Sequence, residues 1–215
     1  MMAEEIELKF LVNDYQEMFN EILAIGKHEK TAYELTVMYD SKDRRLYADD
    51  SRLRLRKIID LEDDKESCEL SYKKPKTRKG IKVEEEIEVE VSSFQESEKI
   101  LAKLGYQSVS SYERIRDTFN VDSCKVTIDN FPFAYILEIE GNKLDIKKVA
   151  GKLGLNLREN ITKSCDDIYA EMRKASHKEV KKDILFGNAS LQKQIAERKN
   201  HRLRAYGHSG SRGEV

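Results

Sequence analysis

Hydrophobic and polar positions alternate strictly in Glu4-Glu5-Ile6-Glu7-Leu8-Lys9-Phe10. This predicts a β-strand with Glu5, Glu7 and Lys9 on one face and Ile6, Leu8 and Phe10 on the other. The alternation recurs down the chain, and the polar faces are largely ionic. Ser51 to Arg56 aligns Arg52, Arg54 and Arg56 opposite Leu53 and Leu55. Cys68 to Lys74 sets Glu69, Ser71 and Lys73 opposite Leu70 and Tyr72. Ile81 to Val91 puts Glu84, Glu86, Glu88 and Glu90 on one side, with Glu85 as the exception among Val83, Ile87, Val89 and Val91. A strand from Gln107 to Phe119 carries Tyr112, Arg114, Arg116 and Thr118 together. Lys125 to Asp129 aligns Lys125, Thr127 and Asp129, and Ala134 to Glu140 ends on Glu138 and Glu140. Glu29 to Tyr39 reads as a further strand.

Between the strands the period changes. Asp14, with Glu17 three residues on, predicts a capped helix whose stripe is Tyr15, Met18, Phe19, Ile22 and Leu23. Leu46 to Asp50 reads as a short helical link. Further helices are predicted from Ser92 or Ser93 to Leu104, from Asp145 to Leu153, and from Thr162 or Ser164 past Met172. About eight strands broken by helices, with hairpin-length links, predict a largely antiparallel α+β fold. If the ionic faces turn inward, the strands close into an eight-stranded antiparallel β-barrel with a polar lumen and helices packed outside, about the smallest size that encloses side chains. The alternative is a curved sheet whose charged face is simply solvated. An interior charge costs several kcal/mol unless it is paired or liganded, so a charged lumen implies bound ions, water or both.

Composition narrows this. Charged residues are 37% of the chain and hydrophobic ones 39%, with a formal net charge of only -1. Bulk charge therefore excludes a general polyanion binder. No apolar run is long enough to cross a membrane, and no secretory signal is read at the first residues. Cys68, Cys124 and Cys165 are widely spaced, which suits reduced thiols in a cytoplasmic protein. There is no zinc spacing, Walker loop or dinucleotide glycine pattern. The four histidines lack ligand spacing and read as surface residues. Lys74 to Gly80 reads as a mobile basic loop, and Arg52 and Glu84 as residues either at a lumen mouth or within the lumen. Residues 1–175 read as one domain. Residues 176–215 form a basic extension, partly disordered, that is either solvated or an anchor for nucleic acid or polyphosphate.

Two carboxylates and an ammonium side by side, as in Glu5, Glu7 and Lys9, suit a metal ion and an anion held together. The ordered set Glu5-Ile6-Glu7-Leu8-Lys9, Leu53-Arg54-Leu55-Arg56, Ser71-Tyr72-Lys73, Glu86-Ile87-Glu88, Arg114-Ile115-Arg116, Asp129 and Glu138-Ile139-Glu140 resembles the CYTH family. These are the triphosphate tunnel metalloenzymes: class IV adenylyl cyclases, thiamine triphosphatases and inorganic triphosphatases. The resemblance implies a tunnel that binds a triphosphate with Mg²⁺ or Mn²⁺. It implies Glu5, Glu7, Asp129, Glu138 and Glu140 as metal ligands. It implies Lys9, Arg54, Arg56, Lys73, Arg114, Arg116 and Lys163 as phosphate contacts, with Glu86 and Glu88 in the substrate site. Glu5, Glu7, Lys73, Glu138 and Glu140 are the expected catalytic set. Lys163-Ser164 matches a late Lys-Ser pair, while Cys165 stands where an aromatic residue often follows, and Thr36 and Met38 also depart from the family pattern. The expected activity is metal-dependent hydrolysis of inorganic triphosphate or of an organic one such as ATP or thiamine triphosphate. The alternatives are cyclisation of ATP to cyclic AMP and pyrophosphate, and a non-catalytic polyphosphate-binding module.

Overall fold

Eight antiparallel strands are hydrogen-bonded in the order β2-β3-β4-β5-β1-β8-β7-β6, and β6 pairs back to β2, so the sheet closes into a ring. The computed structural model describes residues 3–77 and 81–206, and the side chains of 6–77 and 81–198. The elements are β1 (Ala3–Val12), α1 (Tyr15–Ile25), β2 (Lys27–Ser41), α2 (Arg45–Ala48), β3 (Arg52–Asp60), β4 (Glu66–Thr77), β5 (Lys82–Val91) and α3 (Phe94–Lys103). They continue as β6 (Tyr106–Val121), β7 (Cys124–Asn130), β8 (Tyr135–Glu140), α4 (Lys143–Lys152), α5 (Cys165–Ala175), β9 (Asp183–Ile184) and α6 (Asn188–Tyr206).

The register brings the ionic faces together. Lys9 lies opposite Glu138, Arg56 opposite Glu69, Lys73 opposite Glu86, and Arg116 opposite Asp129. A slip of one residue would send these charges to the apolar side, so burial of that side fixes the register. Most of the apolar outer faces are covered by helices; Ile87 and Val89 of β5 stay exposed. Leu8, Phe10, Ile128 and Leu137 pack with Phe19 and Ile22 of α1 and Ile146 and Val149 of α4. Leu55 and Tyr39 pack with Leu101 of α3. A third cluster joins Met38, Tyr112 and Ile136, which share their strands' inward parity, to Ile168 and Tyr169 of α5. α5 therefore packs on one end of the lumen. Gly26 follows α1 where a Cβ would come within 2.7 Å of the Asn120 carbonyl, so a side chain there would push α1 off β6.

Several local expectations change. β4 runs on through Thr77, because Lys74 and Pro75 pair with Glu85 and Glu84 of β5. The expected loop at Lys74 to Thr77 is thus strand, with a register shift after Pro75, which has no N–H to give the ladder. Arg78, Lys79 and Gly80 lie outside the described residues. His28 is not on the surface: it is 4% exposed, packed between Phe19 and Phe119 beneath α1. α4 starts at Lys143, capped by the Asn142 side chain. After α5 the chain returns to the ring, where β9 pairs in parallel with Ser111 and Tyr112 of β6 and buries Ile184 in the α5 cluster. α6 follows, and Gln194 accepts a 2.8 Å hydrogen bond from Asn130. No helix among the described residues is long and apolar enough to cross a membrane.

Candidate active site

Strand parity explains the lumen. Each of β1, β3, β6 and β8 turns its ionic face inward because its other face is needed by the outer core; β5 turns Lys82 and Glu84 inward too, although Ile87 and Val89 on its other face are 46% and 50% exposed. The resulting cavity is about 80 Å³ and is lined by eight cations: Lys9, Arg52, Arg54, Arg56, Lys73, Lys82, Arg114 and Arg116. The acidic side of its wall is Glu7, Glu84, Glu138, Glu140 and, from the start of α5, Asp166. Met38, Tyr112, Phe131, Ser164 and Cys165 complete the lining near α5.

The charges are matched residue by residue. Lys9 Nζ lies 3.1 Å from Glu138 and 3.4 Å from Glu7. Lys82 Nζ lies 2.7 Å from Glu7 and 2.5 Å from Glu84, which also pairs with Arg52. Arg116 reaches Asp129 at 2.6 Å and Glu138 at 2.7 Å. Arg114 bridges Glu34 at 2.6 Å and Asp129 at 3.0 Å. Arg56 lies 3.3 Å from Glu34 and donates from Nε to Thr36 at 3.0 Å. Glu86 accepts from Arg54 at 3.2 Å and lies 3.0 Å from Lys73.

Protonation follows from these pairs. Burial alone would raise the Glu34 carboxyl, but Arg114, Arg56 and Arg116 outweigh it and hold it well below the usual range. Burial likewise opposes ionisation of Glu138, and Lys9 and Arg116 overcome it, so its pKa is strongly depressed. For Lys9, desolvation is outweighed by Glu138 and Glu7, and its pKa rises. Two groups at the start of α5 move the other way. Burial first, then Asp166, pushes the Cys165 thiol up to about 12, so it stays protonated. Burial and the neighbouring Asp167 raise Asp166.

The expected residues divide clearly. Glu7, Lys9, Arg54, Arg56, Lys73, Arg114, Arg116, Glu138 and Glu140 all line the cavity. The Glu5 side chain is outside the described residues; its backbone pairs with Glu84. Glu86 stands behind Arg54 and Lys73. Asp129 is fully buried between Arg114 and Arg116, spent on guanidiniums. Glu88 is exposed, across from Ser71. Lys163 points its ammonium at Glu171, 2.6 Å away and about half exposed, while its carbonyl accepts from Lys9. Residues that sequence reasoning missed are Glu34 and Lys82, both under 5% exposed. Lys82 shares the parity of Glu84 and Glu86, and that signal was available. Glu34 had none beyond its place in β2.

Carboxylate oxygens of Glu7, Glu138 and Glu140 lie within 4.8 Å of one another. An all-oxygen, partly buried donor set of this kind suits Mg²⁺ or Mn²⁺ rather than a soft metal. In the same lining, Arg56 Nη2 and Arg52 Nε are buried without a hydrogen-bond acceptor among the described residues. An incoming anion would satisfy such donors, whose burial otherwise costs energy.

Comparison with known proteins agrees with this arrangement. The chain is 27% identical over 146 residues, 67% of its length and 80% of the relative's, to a Methanocaldococcus jannaschii protein named "Putative adenylate cyclase". Its fold superposes on a Pyrococcus horikoshii protein with a TM-score of 0.67 at 24% identity, covering 79% of this chain and 99% of the other. It also superposes, with a TM-score of 0.55 at 17% identity over 83% and 97% of the two chains, on a Hippeastrum protein named "Putative adenylyl cyclase" and described as having a dominant triphosphatase activity. The CYTH domain model matches residues 3–183, and with the closed charged ring this places the chain in the CYTH family.

Proposed function

We propose that the protein is a divalent-metal-dependent enzyme that hydrolyses a triphosphate held in the lumen. The observation that carries this reading is the juxtaposition of eight lining cations with the Glu7, Glu138 and Glu140 trio inside one ring. A polyphosphate-binding module would need the cations alone. Carboxylates placed beside a polyanion repel it unless a cation sits between them.

Arg54, Arg56, Arg114 and Arg116 have the planar fork that grips phosphate oxygens in pairs, and Lys9, Lys73 and Lys82 add point charges. Their present carboxylate partners hold these side chains extended into the lumen, so little ordering remains to be done when phosphate replaces carboxylate. Glu7, Glu138 and Glu140 would hold Mg²⁺ or Mn²⁺. The bound ion would supply charge neutralisation at the phosphoryl group and a more acidic water. In hydrolysis, water attacks the terminal phosphorus, the bond to the bridging oxygen breaks, and the guanidiniums neutralise the charge gathering on the leaving phosphate.

A second reading, cyclisation of ATP, is favoured by the name of the Methanocaldococcus relative. The two differ in the nucleophile and in the phosphorus attacked: water at the terminal phosphorus, or a ribose hydroxyl at the α-phosphorus with pyrophosphate leaving. The description of the Hippeastrum protein supports hydrolysis. Mass spectrometry of the products formed from ATP and from inorganic triphosphate, with Mg²⁺, Mn²⁺ or EDTA, decides between them. Orthophosphate from either substrate, abolished by EDTA, is expected. Cyclic AMP and pyrophosphate as the main products from ATP would replace hydrolysis with cyclisation. Tight triphosphate binding without turnover under each cation would leave the binding module.

A further inference from the structure

The acidic trio of the lumen is ringed by cations. Lys9 and Lys82 approach the same oxygen of Glu7, Oε1, at 3.4 and 2.7 Å. Glu138 meets Lys9 at 3.1 Å and Arg116 at 2.7 Å, and Glu140 meets Lys125 at 2.6 Å. Four cations thus contact three carboxylates, a balance that disfavours a further cation unless one of the four gives way.

Lys82 is the cation placed to give way. It is 3% exposed and lies directly opposite Glu7 in the β1–β5 register, so the backbone keeps it beside that carboxylate. Its ammonium is shared, 2.7 Å from Glu7 and 2.5 Å from Glu84 on its own strand. Glu84 is 1% exposed, and its other oxygen pairs with Arg52. The remaining three cations have no such second place. Lys9 rests on two members of the trio. Arg116 is fastened to Asp129 by two hydrogen bonds of 2.6 Å. Lys125 is 47% exposed, and water screens its charge.

Lys82 can leave Glu7 without losing an anion, because Glu84 stays within reach. On Glu84 it competes with Arg52, whose Nε is buried without an acceptor among the described residues. Glu7, Lys82, Glu84 and Arg52 therefore form a chain of contacts from the trio on β1 through β5 to a phosphate-seeking guanidinium on β3.

Resting on the metal-dependent reading of the lumen, we propose that Lys82 is a positioning residue that couples the two halves of the site. Its ammonium moves from Glu7 to Glu84 when the trio takes a divalent ion, and Glu84 then releases Arg52 to the phosphate chain. Lys82 thereby keeps the affinity for the ion alone low and lets it rise when the anion is present.

Mn²⁺ binding to the full chain, read by electron paramagnetic resonance with no substrate, tests this apart from turnover. Lys82→Met should bind Mn²⁺ at least about tenfold more tightly than wild type, since a like charge beside the ion is gone. Glu84→Gln should bind it more weakly, since the ammonium is then left to Glu7. Lys73→Met takes the same charge from the same lumen, but that ammonium lies on Glu86, outside the trio; Mn²⁺ affinity should stay within about threefold. Mere damage to the fold would weaken binding in all three variants. Unchanged or weaker binding in Lys82→Met, or an equal gain in Lys73→Met, would overturn the role of Lys82. Should Lys82→Met not fold, Glu84→Gln decides alone, and unchanged or tighter binding there would overturn the proposal. Calorimetry with diimidotriphosphate, whose nitrogen bridges resist hydrolysis, checks the coupling. The gain in anion affinity on adding Mn²⁺ should be smaller in Lys82→Met than in wild type, and an equal gain would overturn the coupling while leaving the lumen reading intact. No binding of this anion to wild type, with or without Mn²⁺, would overturn the lumen reading and the coupling with it.

Discussion

The protein buries charge in two places that differ in what surrounds them. In the lumen, carboxylates and cations face each other across a cavity, and buried donors on Arg52 and Arg56 lack acceptors among the described residues. On the outer face of β6, Asp117 is 1% exposed and enclosed by protein groups. It accepts from Thr31 at 2.6 Å and from Tyr15 at 3.0 Å, and lies 3.5 Å from His28 and 3.4 Å from Arg198. Arg198 reaches it from α6 and lies 3.3 Å over the Tyr15 ring. Both sites incur the desolvation of ions. The outer cluster offsets that cost with fixed protein partners and tethers α6 to the ring. Arg198 Nε and Nη2 also lack hydrogen-bond acceptors among the described residues, so spare donors do not separate the two sites. What sets the lumen apart is room: a cavity walled by both signs of charge.

The comparison breaks if the two sites respond alike to loss of a charge. Asp117→Ala strips Arg198, Tyr15 and Thr31 of a shared buried partner, so unfolding free energy should fall by about 3–5 kcal/mol. Turnover per folded molecule should stay within about twofold, since no lumen residue is touched. Denaturant unfolding with active-site-normalised kinetics checks both. A large loss of turnover with no loss of stability would make the outer cluster part of the catalytic apparatus.

Glu140→Gln is the reciprocal case. Its side chain is 17% exposed and pairs at 2.6 Å with Lys125, itself 47% exposed, so little stability rests on it. Turnover should drop at least about 100-fold, as when one preorganised electrostatic element of a site is lost. The apparent affinity for Mg²⁺, read by kinetic titration, should weaken as well. Full activity of this variant would remove Glu140 from the metal-binding trio.

The same contrast shows what could be read from the chain alone. The ring and most of its lining follow from i, i+2 parity, because each strand has only two faces and one must serve the outer core. Arg54, Arg56, Arg114, Arg116, Glu138 and Glu140 were legible for that reason. Glu34 was not, since β2 mixes polar and apolar residues on both faces and its partners Arg56 and Arg114 are far off in sequence. Lys163 matched a short motif, and its ammonium turns instead to Glu171 one helix face away. The outer cluster was illegible: Asp117 and Arg198 meet only after the chain has closed the ring and returned. Arg198 belongs to the basic extension that reads as solvated or as a polyanion anchor, yet it is 7% exposed against the ring.

The smallest expected effect concerns pH. Glu34, Glu84 and Glu138 have folded pKa values below their ordinary ones, in each case because nearby cations outweigh burial. A carboxylate of this kind contributes stability that is complete above its unfolded pKa and is lost only as pH falls through the lower folded value. Lys9 is the mirror case: its folded pKa is raised, so its contribution is complete below the unfolded value and is lost only as pH rises past the folded one. Asp166 opposes the carboxylate trend, since its raised pKa makes the folded state slightly more stable once it is protonated. The unfolded values bracket the window, so stability should be nearly flat from about pH 5 to pH 9 and fall only outside it. Urea midpoints across that range check this. A steep loss between about pH 6 and pH 5 would mean that the lumen carboxylates are protonated there, and so are not held by their guanidinium and ammonium partners.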